Sequence, residues 1–192
     1  MAKKLESTLM NMTLSLVFIS MGMSAALTLV YLKTKEPIEA ASIQKEINSV
    51  KQVLPEFDGN PTENIIEKDG VKIYYPYKQN QIVGFAIKTF TNKGFGGKIE
   101  LMAGFLPDGT IYNITVLQHK ETPGLGTKMT DEKFKSQFLG KNPENYYLKV
   151  KKDGGKVDAI TAATVSSRAY CDAIQRAYNT LTQINDSVTS KQ

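Results

Sequence analysis

The 192-residue sequence is poor in thiol, imidazole and guanidinium groups. It contains one cysteine, one histidine and no tryptophan, and its arginines are Arg168 and Arg176 alone. One cysteine, Cys171, excludes an internal disulfide framework and any multi-cysteine metal or iron–sulfur site within the chain. One histidine, His119, likewise excludes a histidine-rich metal site. We therefore predict that the chain holds no metal.

Positive charge is supplied almost entirely by scattered lysines, and the formal net charge is +5. Arginine usually carries base contacts, so a scattered lysine surface is more typical of solubility or attraction to anionic lipid. Residues 93–99 begin like an RNA-binding signature, but Gly97 replaces its stacking aromatic and Lys98 its valine. We predict no nucleic-acid partner, and a glycine-rich turn or bulge at this point.

Residues 9–32 contain no charged side chain. As a helix this segment would be about 36 Å long, enough to cross a hydrocarbon core of about 30 Å. A cleaved signal peptide is the alternative, because two lysines precede the run and small residues lie at 24–26. The apolar run continues past those small residues, which favours an uncleaved anchor. We predict a short tail over 1–8 and one transmembrane helix over 9–32.

The flanking charges indicate orientation only weakly. Lys3 and Lys4 precede the span and Lys33 and Lys35 follow it, so the positive-inside count is nearly balanced. A short N-terminal tail can remain inside by default. We therefore predict a single-pass protein of the inner (cytoplasmic) membrane, with its soluble domain on the outer, periplasmic or extracytoplasmic side.

Residues 33–56 have helical apolar spacing and are predicted to form a connector, with Pro37 in the first helical turn and Pro55 after its end. Residues 57–192 are predicted to form the main domain. Four segments of it read as strands, namely 71–75, 82–90, 98–105 and 110–117, with a turn at 107–109. Short connections between them imply an antiparallel sheet.

The second half of the domain reads as mainly helical. Thr130 or Asp131 is predicted to cap a short helix that ends at Gly140, and residues 146–150 are a possible further strand. The last helix is predicted from about Val165 to Val188. Its apolar stripe comprises Tyr170, Ile174, Tyr178, Leu181 and Ile184. The fold class is therefore α+β: an antiparallel sheet flanked by helices, preceded by one transmembrane helix.

Small and hydroxyl residues cluster where the last helix would begin, over residues 157–168. A helix start has unpaired N–H groups and a partial positive charge, which favour a phosphate. Thr164 places a hydroxyl there. The simpler interpretation is that Thr161, Thr164 or Ser166 caps the helix. Residues 119–126, with two glycines and a proline, are either a well-formed loop or a loop whose backbone approaches a ligand.

Two motifs in these segments resemble a known family. Residues 158–164 resemble the family's flavinylation signal, Asp-x-x-Ser/Thr-Gly-Ala-Thr. Residues 121–126 match the family's second motif, Glu-Thr-Pro-Gly-Leu-Gly, completely. The family comprises the FMN-binding G subunits of Rnf electron-transport complexes and the related C subunits of sodium-translocating NADH:quinone reductases. The chain length is more similar to that of the Rnf G subunits. Ala162 departs from the signal, and its methyl is costly only if φ is positive there.

The resemblance implies an FMN-binding domain in which FMN is joined to Thr164 through a phosphoester, made by a separate flavin transferase that reads Asp158. It also implies cofactor contacts from both motifs. These are expected from Thr161, Ala162, Ala163, Thr164, Val165, Glu121, Thr122, Gly124, Leu125 and Gly126. Arg168 either adds a charge contact to the phosphate or is a surface arginine.

The function implied by the resemblance is a membrane-anchored electron carrier within an ion-translocating ferredoxin:NAD⁺ oxidoreductase (Rnf) complex. Its expected partners are the other membrane and redox subunits, the flavin transferase and the lipid bilayer. We expect no turnover by the chain alone, because it lacks a dinucleotide fingerprint and an iron–sulfur ligand set. The alternative is a membrane-tethered binding or assembly module without a cofactor.

Overall fold

The computed structural model of the chain describes residues 8–68 and 71–189. The chain divides into two compact units, Met1–Gln44 and Lys45–Gln192. Helix α1 (Leu9–Val53) contributes residues to both units. The antiparallel sheet and the remaining helices all belong to the second unit, as the predicted α+β class requires.

Residues 9–32 of α1 are mainly apolar and exposed. Its large hydrophobic side chains, from Leu9 to Leu32, are each about half exposed or more. By length and composition this helix can cross a membrane, a property that it shares with signal sequences. Hydroxyls within the run donate to carbonyls four residues earlier, as in Ser20 to Leu16 at 2.7 Å and Thr28 to Ser24 at 2.8 Å. Such bonds satisfy polar groups inside the helix, as a lipid environment demands.

The structure corrects the prediction for Pro37. This residue does not begin a second helix but lies inside α1. Proline removes one N–H donor from the helical ladder and favours a break, but it does not always impose one. Helical residues on both sides of Pro37 keep the element continuous.

The second unit is built on a five-stranded sheet. Its strands are β1 (Ile65–Lys68), β2 (Val71–Tyr74), β5 (Phe85–Gly94), β6 (Gly97–Phe105) and β7 (Ile111–Gln118). They lie in the order β1-β2-β5-β6-β7, with every neighbouring pair antiparallel. Strands β3 (Tyr77–Lys78) and β4 (Gln81–Ile82) form a separate hairpin. The predicted strand 82–90 is thus split near Gly84, where a side chain would clash with the Phe105 carbonyl.

One face of the sheet, here called the α3 face, packs against helix α3 (Thr164–Thr189). Because strand residues alternate, Ile87, Leu101 and Phe105 reach this core while their neighbours point away. The predicted stripe of α3 is confirmed. Four of its members are buried and Tyr178 packs against them. Burial of such large side chains contributes about 1.5–3 kcal/mol each.

The opposite face, here called the α1 face, is covered by the end of α1. Val50, Val53 and Leu54 pack there against a smaller cluster of sheet residues. These sheet residues are Tyr74, Ala86, Met102 and Leu117. A side chain at Gly104 would clash with the Val53 carbonyl, so glycine permits this close approach of helix and sheet.

A buried carboxylate lies beside the α1 face. Glu46 accepts hydrogen bonds from the Tyr74 hydroxyl and from Lys88 Nζ at 2.5 Å, and Lys72 Nζ is 3.5 Å from it. Burial raises the pKa of Glu46, but the hydrogen bonds from Lys88 and Tyr74 together with the charges of Lys88 and Lys72 outweigh it, so this pKa lies below its ordinary value. No local sequence pattern predicted this cluster, because its members are far apart along the chain.

The segment between β7 and α3 is less regular than predicted. Helix α2 (Glu132–Lys135) is a single turn, and Asp131 occupies its N-cap position without a side-chain capping bond. The ring of Phe134 in α2 packs with those of Phe138 and Tyr170, with the three centroids 5.1–5.5 Å apart. Aromatic packing therefore holds this segment where a longer helix was expected.

Residues 146–150 do not form a strand in the sheet. Only Val150 makes a bridge, to Val157. The chain turns back on itself instead, since the N–H of Val157 donates to Lys149 and that of Lys151 to Val157. The backbone groups of this segment are thus satisfied locally, and they do not extend the sheet.

Candidate functional site

The start of α3 does not use the predicted hydroxyls as caps. Thr164 is the first helical residue, and the first helical bond runs from Ser167 N–H to the Ala163 carbonyl at 3.0 Å. The Ser167 hydroxyl closes the junction by accepting from Ile160 N–H and donating to Ala163, both at 2.9 Å. Over the described residues we find no hydrogen bond to the side chain of Thr161 or Thr164. The N-cap interpretation is therefore wrong for these two threonines.

Ala162 has a positive φ of 60°. This is the left-handed region, where a Cβ atom costs roughly 1–2 kcal/mol relative to the right-handed conformation. Glycine has no such penalty. Of the two cases considered for the departure from the flavinylation signal, the chain therefore adopts the costly one.

Glu121, the first residue of the second motif, connects three segments of the site. Its buried carboxylate accepts from Gly96 N–H at 3.0 Å and from the Ser166 hydroxyl at 2.5 Å. Gly96 lies at the tip of the β5–β6 hairpin and Ser166 in the first turn of α3. An acidic group is favoured near a helix N-terminus, so the carboxylate suits this position electrostatically as well. Glu121 thus fixes the hairpin tip and the helix start relative to its own loop.

Glycines surround this carboxylate because larger residues do not fit. A Cβ atom at Gly94 would lie 2.6 Å from Glu121 Oε1, and one at Gly126 would lie 2.5 Å from Oε2. At Gly96 it would clash with the Lys120 carbonyl. The glycine-rich segment, predicted as a turn or bulge, is therefore a hairpin tip shaped by the neighbouring motif.

These segments enclose a cavity of about 340 Å³. It is lined by Phe95, Glu121, Thr122, Leu125, Gly126, Ala162, Ala163, Thr164, Val165 and Ser166. Eight of the ten predicted cofactor contacts lie here, whereas Gly124 and Thr161 do not. Phe95 was missed because only the fold brings it to the two motifs, and Ser166, two residues after Thr164, was considered only as a helix cap. A larger cavity, of about 750 Å³, lies elsewhere, around residues 51–59 and 132–139.

Asp158 lies outside this cavity, on an adjacent groove of about 590 Å³ that Thr161 also lines. The Gln137 amide holds the Asp158 backbone twice, accepting from its N–H at 2.7 Å and donating to its carbonyl at 3.2 Å. The side chain is 66% exposed and pairs with Lys151 at 2.7 Å. Asp158 is therefore an accessible carboxylate on a firmly held backbone.

Arg168 and His119 have structural partners of their own. The guanidinium of Arg168 binds both carboxylate oxygens of Asp153 at 2.7 Å, and this hydrogen bonding lowers the pKa of Asp153. His119 accepts a hydrogen bond from the N–H of Glu121 through Nδ1 at 3.3 Å. Neither residue lines the Thr164 cavity.

Comparison with known proteins identifies the family to which this chain belongs. Residues 94–179 match the model of the FMN-binding domain. The chain is 34% identical over 170 residues to the G subunit of the ion-translocating oxidoreductase complex of Methanosarcina acetivorans, and the match covers 85% of this chain and 89% of that relative. The chain belongs to the family of G subunits of ion-translocating oxidoreductase complexes.

Further relatives have related names. The chain is 29% identical over 178 residues to the G subunit of the Na(+)-translocating ferredoxin:NAD(+) oxidoreductase complex of Acetobacterium woodii, covering 84% of this chain and 86% of that one. The crystal structure of Shewanella oneidensis NqrC aligns with 67% of this chain and 62% of its own, at 21% identity and a TM-score of 0.44.

The predicted family and the α+β fold class are confirmed. Membership in this family and the FMN-binding domain support a membrane-anchored FMN flavoprotein in a multi-subunit electron-transport complex.

Proposed function

We propose that this chain is an electron carrier that holds FMN covalently, through a phosphoester on Thr164, within an ion-translocating ferredoxin:NAD⁺ oxidoreductase (Rnf) complex. One observation carries the proposal. Thr164 is the first residue of α3 and lines a cavity bounded by both family motifs, with its hydroxyl unused by a helix cap. Simple capping therefore does not explain the hydroxyl at this position.

The start of α3 suits the phosphate of FMN. The first N–H groups of a helix have no partner within it, and the helix dipole places partial positive charge at this end. A phosphodiester retains one negative charge, which these groups stabilise by charge-assisted hydrogen bonds. The backbone at Thr164, Val165 and Ser166 would thus hold the phosphate, while the loop Glu121–Gly126 bounds the cavity beside it.

Attachment requires a second protein. A threonine hydroxyl is a weak nucleophile without a base, and the carboxylate in the cavity, Glu121, already binds Gly96 and Ser166. The bond formed would join Thr164 Oγ1 to the phosphorus of the FMN moiety, and the bond broken would be the P–O bond from that phosphorus to the rest of an activated flavin dinucleotide, whose nucleoside monophosphate leaves. The hydroxyl proton would pass to a base of the transferase. Exposed Asp158, fixed through its backbone by Gln137, is the proposed recognition residue for that enzyme.

Once bound, FMN supplies the redox chemistry. The chain's own residues attach, orient and partly enclose it, and the membrane anchor keeps the carrier beside its partner subunits. We propose that the chain lies in the inner membrane as a single-pass protein with its soluble domain on the outer side. The proposed organisation is a tail at 1–8, a span at 9–32, a connector at 33–56 and the FMN-binding domain at 57–192.

The attachment is tested by co-expressing the full chain with a flavin transferase. We expect a fluorescent band after denaturing electrophoresis, and an intact mass increased by one FMN less one water. Thr164→Ala should abolish both, whereas Thr182→Ala, a matched change at an exposed threonine of the same helix outside the cavity, should retain them. A wild-type chain that stays dark and unmodified would refute the proposal and favour an assembly module without cofactor.

A further inference from the structure

Exposed apolar side chains are concentrated around the Thr164 cavity. In the described part of residues 45–192, six large apolar side chains are exposed, namely Ile65, Phe95, Tyr112, Leu125, Tyr147 and Val165. Three of the six, Phe95, Leu125 and Val165, line this one cavity. They come from the β5–β6 tip, the second motif and the first turn of α3. Single exposed apolar residues are common, but three converging from separate segments indicate a binding surface.

Phe95 is the most exposed of the six, with 73% of its surface accessible. It lies between Gly94 and Gly96 at the hairpin tip, where neither neighbour can carry a side chain without a clash. The Gly96 N–H donates to the buried Glu121, so the tip is held at the cavity. Phe95 therefore lies on a held stretch of backbone at the cavity, and the chain leaves its ring largely exposed.

The cavity offers different chemistry at different points. The helix start, where Thr164 lies, favours an anion, whereas Phe95, Leu125 and Val165 favour an apolar group. A ligand with a phosphate at one end and a planar aromatic ring system at the other matches both. An aromatic side chain contacts such a ring by offset stacking or by edge-to-face packing.

We infer that Phe95 is a positioning residue that packs against the isoalloxazine ring of the flavin carried on Thr164, with Leu125 and Val165 completing the apolar contact. This inference rests on the proposed function. It assigns to Phe95 the shielding of the ring from solvent on the hairpin side. The phenylalanine of the glycine-rich segment thereby gains a role that neither family motif contains.

The test uses full-length protein in detergent, co-expressed with a flavin transferase and shown by intact mass to carry FMN. The accessibility of the ring is measured as the constant for quenching of flavin fluorescence by iodide. Loss of the Phe95 contact should raise the ratio of solvent-exposed to covered isoalloxazine ring about two- to tenfold. Phe95→Ala should therefore raise the quenching constant by about that factor, and Phe95→Tyr, which keeps an aromatic ring, should retain the wild-type value.

Tyr112→Ala is the matched control, because Tyr112 is also an exposed aromatic but lines the cavity around residues 51–59 instead. It should leave quenching unchanged. Thermal unfolding of Phe95→Ala should equal that of the wild type, since the side chain is largely exposed. An unchanged quenching constant in FMN-loaded Phe95→Ala would overturn the inference while leaving the attachment site intact. Loss of binding to a neighbouring protein of the complex with no change in quenching would likewise overturn it and indicate a protein contact.

Absence of FMN from the wild-type chain is a different result, visible in the mass before any quenching is measured. It would remove the proposed function and this inference together. A chain that carries FMN but shows no effect at Phe95 removes the inference alone.

Discussion

Two buried glutamates hold the second unit together in different ways. Glu46, on the α1 face, is bound by two lysines and a tyrosine. Glu121, beside the N-terminus of the helix that covers the opposite face, is bound by a backbone N–H and a serine hydroxyl. The first uses opposite charges to fix a helix end to the sheet. The second uses neutral donors to fix a hairpin tip and a helix start around a cavity.

The surroundings of the two carboxylates also differ in which side chains they leave exposed. On the α1 face, Val50, Val53 and Leu54 fill the contact with the sheet. Around Glu121, glycines keep the segments close but leave exposed apolar side chains and an unused threonine hydroxyl at a cavity. Lysines beside Glu46 balance the charge of that carboxylate, whereas Glu121 is held by neutral donors and would share the positive end of the α3 dipole with a phosphate bound at Thr164.

Replacing Glu46 should produce the largest change in stability. Glu46→Ala leaves Lys88 and Tyr74 without their acceptor, and we expect a loss of about 2–4 kcal/mol in the free energy of unfolding. The measurement is denaturant unfolding of the full chain in detergent. Lys78→Ala is the control, because its pair with Glu56 is exposed and should contribute less than about 1 kcal/mol.

The stability contributed by Glu46 should depend on pH. Since the folded-state pKa of Glu46 lies below the ordinary value of 4.5, its stabilisation is present above that pH. It is lost as the pH falls through the folded-state pKa. The difference between wild type and Glu46→Ala should therefore shrink in acid, and a difference that grows below pH 4.5 would contradict the assignment.

Replacing Glu121 should have a smaller effect on stability and a larger one on flavin attachment. Glu121→Ala deprives two donors of their acceptor, for a loss of about 1–3 kcal/mol. It also releases the hairpin tip from the start of α3, so the yield of FMN-modified chain should fall. Glu121→Gln keeps the side-chain volume and one carbonyl acceptor, so it should retain more of the stability and more of the FMN yield than Glu121→Ala. Full FMN yield in Glu121→Ala would show that the three segments need not be tied together.

Replacing Ala162 by glycine should have the smallest effect on stability, and it should stabilise the fold. Ala162→Gly removes the strain of a left-handed alanine but increases the freedom of the unfolded chain, so we expect a net gain of about 0.5–1 kcal/mol. The control is Ala163→Gly, whose buried position has no positive φ and should not be stabilised. Equal effects of the two changes would mean that the left-handed backbone is not the cause.

Local patterns were sufficient to predict much of this fold. Alternation identified the main strands, Gly109 marks the predicted hairpin turn with a φ of 82°, and the stripe of α3 is buried as expected. These features depend on residues close together in sequence. The continuity of α1 past Pro37 was missed, because proline favours a helix start and does not enforce one.

The site required contacts that no local pattern contains. Phe95 reaches the cavity because Gly96 binds Glu121, 25 residues later in the chain. The left-handed φ of Ala162 depends on how the chain turns into α3, and the Glu46 cluster joins α1 to β2 and β5. Motif resemblance located the two segments, but only the folded chain shows which side chains they share.

The one cysteine of this chain has a practical consequence. Burial raises the pKa of the Cys171 thiol to about 12, so near neutral pH it remains protonated and unreactive towards alkylating reagents. A cysteine introduced on the surface, for example at exposed Tyr147, would then be the single thiol that takes a probe. Spin or fluorescent labels can therefore be attached at chosen points without first removing a native thiol. The distance from each labelled residue to the bilayer then becomes measurable in the intact chain.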